Sequence, residues 1–378
     1  MSRTSPAGET SNSPVADAGP LPLADSADIS ARAFRDSFGE ELRQLLDVSA
    51  WETGWDLTRE YARIEREVGE ALRNESEVQR RTREHLFPRL VERGGGVFAC
   101  RSDVIRAIHE GLLFRGGVEA CDGTVQVHDT LPLTIYQIGV SLVSYRGNQG
   151  TWHQRLFRRD LRQQLGDCFE ELTRLLEHRS RRAALNHGTA SDRLGELARK
   201  TIMDYAERAI LLRRAEAPWL MGHGNPITYE LLTGGGILEL MIAGTKVLRE
   251  LIHGHPKFVF VASEPRELLL LTIGQALMPG QYALVWTLDV PLRHWLHQRR
   301  FAVDVGGKVP WDEDDFLPAA EWIPRFLDEI ASQVVVGVYR ASAAAPAHLF
   351  YAHRQHATTP PISCWPTACC KSTAAFRS

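Results

Sequence analysis

The residues from Gly117 to Tyr145, GVEACDGTVQVHDTLPLTIYQIGVSLVSY, decide the fold class of this 378-residue chain. They begin as a short strand that ends in Asp122-Gly123-Thr124, and after a turn or loop they continue as a long second strand. The second strand is rich in Ile, Val, Leu and Tyr, which favour pleated structure. An acidic residue at the end of a buried strand, followed by glycine, presents a carboxylate where a metal ion or phosphate can approach closely. Asp122 is therefore the first candidate metal ligand.

The segment that follows extends this pattern. Residues 151–161, TWHQRLFRRDL, are predicted to form a third strand that leads into a helix. Three strands followed by a helix, with an Asp at the end of the first strand, form the opening of an RNase H-like sheet. Strands and helices alternate through the rest of the chain. The predicted class is therefore α/β, with an RNase H-like mixed sheet core flanked by helices and an N-terminal helical region.

The later elements follow from apolar spacing and from buried apolar runs. One helix is predicted from Leu165 to about Arg182, and another, capped by Ser191, from Asp192 to about Arg214. The segment 219–226 is predicted to be a short buried strand that ends at a polar turn containing glycine. Beyond it, helices are predicted at 231–253, 265–277 and 321–330, and strands at 258–263, 282–290, 301–305 and 334–339.

A second carboxylate occurs on the helix that is predicted to end near residue 214. Met203, Glu207 and Ile210 share one face of this helix because they are spaced by four and three residues. Glu207 is thus a carboxylate on a partly apolar face of the helix. A charged residue that served only solubility would be expected on the solvent-exposed face instead. The alternative is an ordinary ion pair with Arg199 or Arg208. The other carboxylates considered are Glu196 and Glu230, as substitutes, and Asp129 and Asp289, for which loop roles are favoured.

The composition is that of an ordinary globular protein, with 44% hydrophobic and 24% charged residues and a net charge of −3. No global basic field indicates a nucleic-acid partner, so any such binding must come from local patches. No uncharged apolar run is long enough to span a membrane, and the N-terminus lacks the apolar segment of a signal peptide. The six cysteines show no paired zinc spacing, which favours a cytoplasmic location.

Four regions are predicted along the chain. Residues 1–29 are rich in Ser, Pro, Ala, Gly and Asp and are expected to be disordered. Residues 30–96 form a region of three helices, at about 34–46, 55–74 and from 77 to the glycines at 94–96, which is a candidate for dimerisation or partner docking. Residues 97–353 form the sheet domain. Residues 354–378 are anomalous, because they lack an amphipathic period and contain half of the cysteines, and we interpret them as a possible frameshift product.

In their order along the chain, these motifs resemble the NurA family of nucleases. Asp122-Gly123-Thr124 after a strand is similar to the first Asp-Gly-Ser/Thr motif of the family. The similarity continues through four further segments and spans roughly 117–353. These segments are DYAERAIL with Glu207, LMGHGNPITYELLTG, FVFVASEP and VVVGVYRASAAAPAHLFYAH. The individual motifs are short, so their order and spacing carry the resemblance.

The resemblance implies an RNase H-like core and a manganese-dependent DNA nuclease. It implies 5′-to-3′ exonuclease and single-strand endonuclease activity in DNA end resection during double-strand break repair. It further implies a homodimer that works with the hexameric ATPase HerA. The chain departs from the family twice, because His223-Gly224 stands where the family usually has a second Asp-Gly, and the family's late His would fall in the altered tail and is absent.

Phosphodiester hydrolysis by such a protein would use divalent ions to neutralise the phosphate and to activate water. Asp122, Glu207 and His223 are the predicted catalytic and metal-binding residues, with Asp122 as the bridging ligand. Imidazole is accepted by Mn²⁺ better than by Mg²⁺, so His223 favours Mn²⁺ as the cofactor, with Mg²⁺ as an alternative. The ordinary interpretation of His223 is a turn residue or a hydrogen-bonded core histidine.

Contacts with DNA are predicted for a basic and aromatic stretch on the third strand. Its members are Trp152, Arg155, Arg158, Arg159 and Arg162, with His153 beside them: arginines would bind phosphates, and the indole could stack on a base. A second such stretch comprises Arg293, His294, Trp295, Arg299 and Arg300. For either stretch, a solvated face with buried aromatics is an equally good interpretation.

A second function remains open beside the nuclease. The chain is then a catalytically weak, NurA-like subunit that guides DNA and docks on the translocase. His223 in place of a carboxylate and the altered tail favour this alternative. The sequence has no Gly-x-x-x-x-Gly-Lys-Ser/Thr loop, so ATP hydrolysis would have to belong to the partner.

Overall fold

The computed structural model describes residues 30–39, 41–51, 57–92, 94–130, 133–159, 167–185, 195, 197–262, 267–298, 308–342 and 345–357. The chain divides after Glu75 into two compact units. The predicted disordered segment 1–29, the strand candidate at 301–305, and all of the anomalous tail beyond residue 357 lie outside the described residues. None of the described helices is long and apolar enough to cross a bilayer.

The first unit is helical. It contains α1 (Ala31–Phe38), α2 (Leu42–Leu46) and the first part of α3 (Leu57–His85). The prediction of two helices at 55–74 and from 77 onward was wrong, because α3 continues through both as one helix of 29 residues. No Gly or Pro interrupts residues 74–77, and beyond the unit boundary Arg80 pairs with Glu77 and Glu84 one turn away on either side.

The second unit is built on a mixed sheet. Its strands are β1 (Gly96–Ala99), β2 (Val118–Thr130), β3 (Leu133–Ser144), β4 (Gly147–Arg159), β5 (Trp219–His223), β6 (Phe258–Ala262), β7 (Gln281–Thr287), β8 (Lys308–Pro310), β9 (Phe316–Pro318), β10 (Val334–Arg340) and β11 (His348–His353). Its further helices are α4 (Phe87–Glu92), α5 (Ser102–Ile108), α6 (Cys168–Leu185), α7 (Ile202–Arg214), α8 (Tyr229–Thr233), α9 (Leu238–Gly254), α10 (Leu268–Ala276), α11 (Asp289–Gln298), α12 (Ala319–Glu329) and α13 (Arg354–Ala357).

The strand order confirms the RNase H-like class. Within the described residues, nine strands form one sheet in the order β1-β7-β10-β11-β6-β5-β2-β3-β4. β2, β3 and β4 are antiparallel neighbours, and β5 and β6 then run parallel to β2 on its other side. Three antiparallel strands followed by a helix and a fourth strand parallel to the first is the predicted arrangement. Four antiparallel neighbours, β11, β10, β7 and β1, extend the sheet beyond β6.

The first strand is longer than predicted, and this changes the position of Asp122. β2 has 13 residues and is paired with β3 as far as Thr130. Among the described residues, its parallel partner β5 accompanies it only from Val118 to Cys121. Asp122 therefore lies inside the strand rather than at its tip, at the point where the pairing with β5 ends.

Two of the predicted helices differ in extent from the observed ones. Gly195 is already α-helical, but a π-helical turn at Leu197–Thr201 follows it, and α7 begins at Ile202. The predicted helix at 231–253 is broken into α8 and α9 because Gly234 and Gly235 adopt left-handed φ values of 58° and 61°. Similarly, the strand predicted at 282–290 ends at Thr287, and α11 begins two residues later.

Apolar residues pack on both faces of the sheet. On one face, Leu142, Leu220 and Phe260 are buried in a cluster to which α9, α10 and α12 also contribute. On the other face, Val118, Val259, Tyr339 and Phe350 pack with residues of α5. Alternate residues of the central strands supply the two clusters, as strand geometry requires. The candidate site lies where this double covering ends, beside the last paired residues of β5.

Candidate active site

Asp122 and His223 lie side by side on neighbouring strands. The parallel register sets Cys121 beside Gly222, so the next residue of each strand falls at the same level. Asp122 Oδ1 is 3.7 Å from His223 Nδ1, and the two side chains are 70% and 54% exposed. Two ligands about 2.1 Å from one ion lie about 3 Å apart or somewhat more, so a small approach would let this pair share a divalent ion.

The pair faces a cavity of about 330 Å³. Three polar residues that were not singled out in the sequence also line it: Ser141 on β3, Tyr339 on β10 and His348 on β11. The rings of Tyr339 and His348 stack at 5.5 Å. Tyr339 and His348 lie in the segment VVVGVYRASAAAPAHLFYAH, but only the antiparallel register of β10 and β11 places them opposite one another and close to the pair.

Glu207 reaches the same point of β2 from the face that α7 covers. A Cβ atom on Gly123 would collide with Glu207 Oε1 and with Met203 Cγ, so this position requires glycine. The Gly123 N–H donates to Asp122 Oδ1 at 2.9 Å, and the nearness of the same amide to Glu207 slightly lowers the pKa of that carboxyl. The two predicted carboxylates therefore lie close together at Gly123, but on opposite faces of β2. The prediction that Met203 and Glu207 share a face of the helix is confirmed by their common contact with Gly123.

The pKa of Glu207 is raised from 4.5 to about 7. Burial is the largest cause, and the negative charges of Asp204 and Asp122 add to it, whereas the positive charge of Arg208 opposes it. Arg208 Nη1 donates to Glu207 Oε2 at 2.5 Å, and Arg208 Nη2 donates to the carbonyl of Asn225 at 2.7 Å. The ion pair with Arg208, an alternative left open by the sequence, is thus present in the fold.

A three-ligand metal centre is not formed by the described residues: no three His, Cys, Asp or Glu side chains among them converge closely enough to hold an ion. Asp122 and His223 offer a carboxylate oxygen and an imidazole nitrogen, which suit Mn²⁺. Glu207 fits an ion less well, because the guanidinium of Arg208 occupies one of its oxygens and its positive charge repels a cation. The residues that fit a divalent ion are therefore Asp122 and His223.

The raised pKa of Glu207 predicts a pH-dependent stability. A folded-state pKa of about 7 against 4.5 means that the folded chain holds this proton longer than the unfolded chain. Stability from this group is therefore complete below pH 4.5 and falls as the pH rises to about 7, by up to about 3 kcal/mol. Glu207→Gln should remove this decline, and the measurement is the free energy of unfolding in urea at pH 5, 6, 7 and 8.

The control for this prediction is Glu321→Gln, which changes an exposed carboxylate of α12. It should keep the wild-type pH profile. A Glu207→Gln profile that runs parallel to that of the wild type would show that the buried carboxyl does not hold its proton.

The predicted DNA-binding stretch is divided between the two faces of β4. Trp152 and Arg158 are partly buried on the face toward α7, and Trp152 packs against the hydrophobic core. Arg155 and Arg159 are exposed on the opposite face, which is the face of Asp122. Because the Trp152 side chain packs against the hydrophobic core, it is poorly placed to stack on a base. Arg162 lies outside the described residues.

Several of the remaining candidates have structural partners. Asp129 accepts a hydrogen bond from Thr134 Oγ1 at 2.9 Å, so it serves the β2–β3 hairpin. Arg293 pairs with Asp289 at 3.6 Å, and Trp295 packs edge-on to Tyr229 at 4.7 Å. Three of the sequence candidates, Glu196, Arg299 and Arg300, lie outside the described residues.

Comparisons with known proteins add the following. No protein-family model matches the chain, and no curated protein matches it. It is similar to the crystal structure of the NurA nuclease from Sulfolobus solfataricus, with 8% identity, a TM-score of 0.38 and coverage of 66% of this chain and 71% of that chain. Two further NurA structures, the second with manganese, give 9% and 10% identity, TM-scores of 0.33 and 0.30, and coverage of 69% of this chain and 86% and 87% of theirs. At such low TM-scores these likenesses carry no argument about function.

Proposed function

We propose that this protein is a nuclease that hydrolyses DNA phosphodiester bonds with the help of a divalent ion, Mn²⁺ in preference to Mg²⁺. The observation that carries the proposal is the placement of Asp122 beside His223 at the cavity, where β5 stops pairing with β2, with Glu207 close behind them at Gly123 on the other face of β2. A cavity lined by a carboxylate and an imidazole is a usual setting for a catalytic site, and the nearby Glu207 carboxyl with its strongly raised pKa is a further indication of one. The sequence motifs that resemble the NurA family are independent support for the same reaction class.

In this proposal Asp122 and His223 hold the ion, with substrate phosphate and water completing its coordination. A bound ion would neutralise charge on the phosphate and lower the pKa of a coordinated water. Glu207 contributes differently: it lies on the other face of β2, and its pKa of about 7 means that its charge, which acts on Asp122, changes near neutral pH. Arg208 orients Glu207, and the stacked pair of Tyr339 and His348 closes the far side of the cavity.

The more specific parts of the proposed function rest on the resemblance of the sequence motifs to the NurA family. They are 5′-to-3′ exonuclease and single-strand endonuclease activity in end resection, a cytoplasmic location, a homodimer, and a partnership with a HerA-type hexameric ATPase. The proposed domain organisation remains the four regions 1–29, 30–96, 97–353 and 354–378. Residues 30–96 would be the assembly region and 97–353 the catalytic one.

The direct test is a cleavage assay with labelled single-stranded and blunt double-stranded oligonucleotides. We expect degradation by the wild-type protein with Mn²⁺, weaker degradation with Mg²⁺, and none in excess EDTA. Cleavage that is unchanged in EDTA would contradict the proposal. Inactivity under all conditions, including addition of the hexameric ATPase, would also contradict it and would favour the alternative below.

The alternative is a catalytically weak, NurA-like subunit that guides DNA and docks on a translocase. The observation in its favour is the engagement of Glu207 by Arg208, together with the lack of a three-ligand cluster among the described residues. Such a protein would bind DNA and the ATPase without cleaving either strand. Binding of labelled DNA by a preparation that shows no Mn²⁺-dependent cleavage is the result expected from it.

The assembly region offers its own prediction. Five apolar side chains of α3 recur at spacings of four, three, four and four residues and are 47 to 69% exposed. They are Leu57, Tyr61, Ile64, Val68 and Leu72. A continuous apolar stripe on a helix surface is typical of a helix–helix interface. We therefore expect the double substitution Ile64→Glu and Val68→Glu to convert a dimer into a monomer, measured as a halved mass by light scattering.

The matched control for this stripe is Arg66→Glu with Arg73→Glu, because these residues lie on the opposite side of α3. The control should keep the mass of the wild type. A wild-type chain that is monomeric at micromolar concentration, or an apolar-stripe variant that keeps the wild-type mass, would contradict the assembly role.

A further inference from the structure

The three antiparallel strands β2, β3 and β4 expose a second surface next to the candidate site. The register aligns their alternate residues in five rows that cross the strands. The rows are Asp122–Ser141–Thr151, Thr124–Gly139–His153, Gln126–Gln137–Arg155, His128–Ile135–Phe157 and Thr130–Leu133–Arg159. We name the surface that these residues form the open face.

The open face is accessible. All its residues on β2 and β4 are exposed, and those on β3 are partly exposed. The opposite face of the same strands is closed, since Tyr136, Ile138, Val140 and Leu142 are buried there. A sheet that is packed on one side and open on the other is normal for antiparallel strands. The chemistry of the open face then decides what it can bind.

The charges of the open face are unequal. In these five rows Asp122 is the single acidic residue, and it belongs to the candidate site. Arg155 and Arg159 contribute two positive charges; His153 lies in the row between Arg155 and the site, and His128 in the row between the two arginines. Thr and Gln side chains, which bind phosphate and sugar oxygens without charge, fill half of the other ten positions. This charge pattern is complementary to a polyanion. It disfavours binding of a second copy of the chain through the same face, because the arginines of the two copies would then face and repel each other.

One aromatic side chain stands in this surface. Phe157 is 61% exposed in the row between those of Arg155 and Arg159. Exposed aromatic rings on sheets stack with unpaired bases, and such stacking requires bases that are not already in a duplex. Phe157 therefore offers the stacking contact that the partly buried Trp152 cannot. From His153 to Arg159, three two-residue steps of a strand span about 20 Å.

We propose that the open face binds single-stranded nucleic acid and leads it to Asp122. Arg155 and Arg159 would hold phosphates, Phe157 would stack on a base, and the row that contains Gly139 would form a low point between them and the site. A Cβ atom on Gly139 would meet only Thr124 Cγ2, at 3.6 Å, so the glycine leaves room above the sheet. This proposal rests on the proposed function, because it defines the substrate of the same site.

The test measures binding separately from cleavage. Fluorescence anisotropy of a labelled single-stranded oligonucleotide is recorded in EDTA with the full-length chain. Phe157→Ala should weaken binding roughly 5- to 150-fold, the loss expected for one stacked base. Arg155→Ala with Arg159→Ala should weaken binding and reduce the slope of log affinity against log salt by about 1.4, for two phosphates on a single strand. A duplex of the same sequence should respond less to Phe157→Ala.

The matched control is Arg158→Ala, on the same strand but on the opposite face, which should leave binding unchanged. Circular dichroism melting confirms that each variant is folded. Wild-type affinity in the Phe157 and double-arginine variants would overturn the proposal, and so would an equal loss in Arg158→Ala or a change of oligomeric mass instead of DNA affinity. Failure of the proposed function looks different: specific binding by the open face would persist, but no Mn²⁺-dependent cleavage would be observed.

Discussion

Asp122→Asn is expected to reduce Mn²⁺-dependent DNA cleavage by at least about 100-fold, because even residues that only orient metal ligands typically contribute 10- to 100-fold. The amide keeps the size of the side chain but removes the negative charge that faces His223 at 3.7 Å. The fold should be unaffected, since Asn retains the oxygen that accepts from the Gly123 N–H and the side chain is 70% exposed. Initial rates on a labelled single-stranded oligonucleotide provide the measurement.

The matched control for this substitution is Asp129→Asn. Asp129 lies on the same strand, seven residues or about 23 Å further along, and its carboxylate accepts a hydrogen bond from Thr134. It should retain wild-type activity. Equal rates for Asp122→Asn and the wild type would show that the cleavage comes from a contaminant or from another site, and the nuclease proposal would then lose its central residue.

Arg208→Met is expected to cost about 3–5 kcal/mol of unfolding free energy at pH 8, the usual loss when one partner of a buried ion pair is removed. Arg208 is 2% exposed, and the substitution would leave the Glu207 carboxylate buried without its counter-charge. Because the pKa of Glu207 is already about 7, the deficit should shrink at pH 5, where the carboxyl holds its proton. Urea unfolding at both pH values, followed by circular dichroism, gives the difference.

Two comparisons separate this explanation from a general effect of changing α7. Arg213→Met, at an exposed position of the same helix, should change stability by no more than about 0.5 kcal/mol. Adding Glu207→Gln to Arg208→Met should restore a large part of the loss, since no buried charge then remains. An equal deficit at pH 5 and pH 8, with no recovery in the double variant, would assign the loss to packing instead of charge.

The sequence predicts much of this fold because its signals are local. Short apolar patterns identify the strands around Asp122, the helix that carries Glu207, and the buried strands 219–223 and 334–340. The location of Asp122 at the end of the β2–β5 pairing was not predictable in the same way, because it depends on where β5 stops, about a hundred residues later. The contribution of Tyr339 and His348 to the cavity likewise depends on strand order, which no local pattern contains.

The separation of the basic and aromatic residues at 152–159 onto two faces of β4 could have been predicted from the sequence, although they are grouped above as one DNA-binding stretch. Side chains of a strand alternate between faces, so Trp152 and Arg158 had to separate from Arg155 and Arg159 once residues 151–159 were taken as a strand. Which face would be open depends on the helix that covers the other one. The structure supplies this, since Val140, the neighbour of Trp152 on β3, is buried.

The hydrogen bond from Arg208 to the carbonyl of Asn225 links the interior of the protein to the turn that follows β5. Asn225 is two residues from His223, and the same guanidinium holds Glu207. One cation thus joins a buried carboxyl to the turn that follows a surface imidazole. A proton arriving at Glu207 would weaken its hold on that cation, so the protonation of one interior carboxyl would act on the turn beside His223.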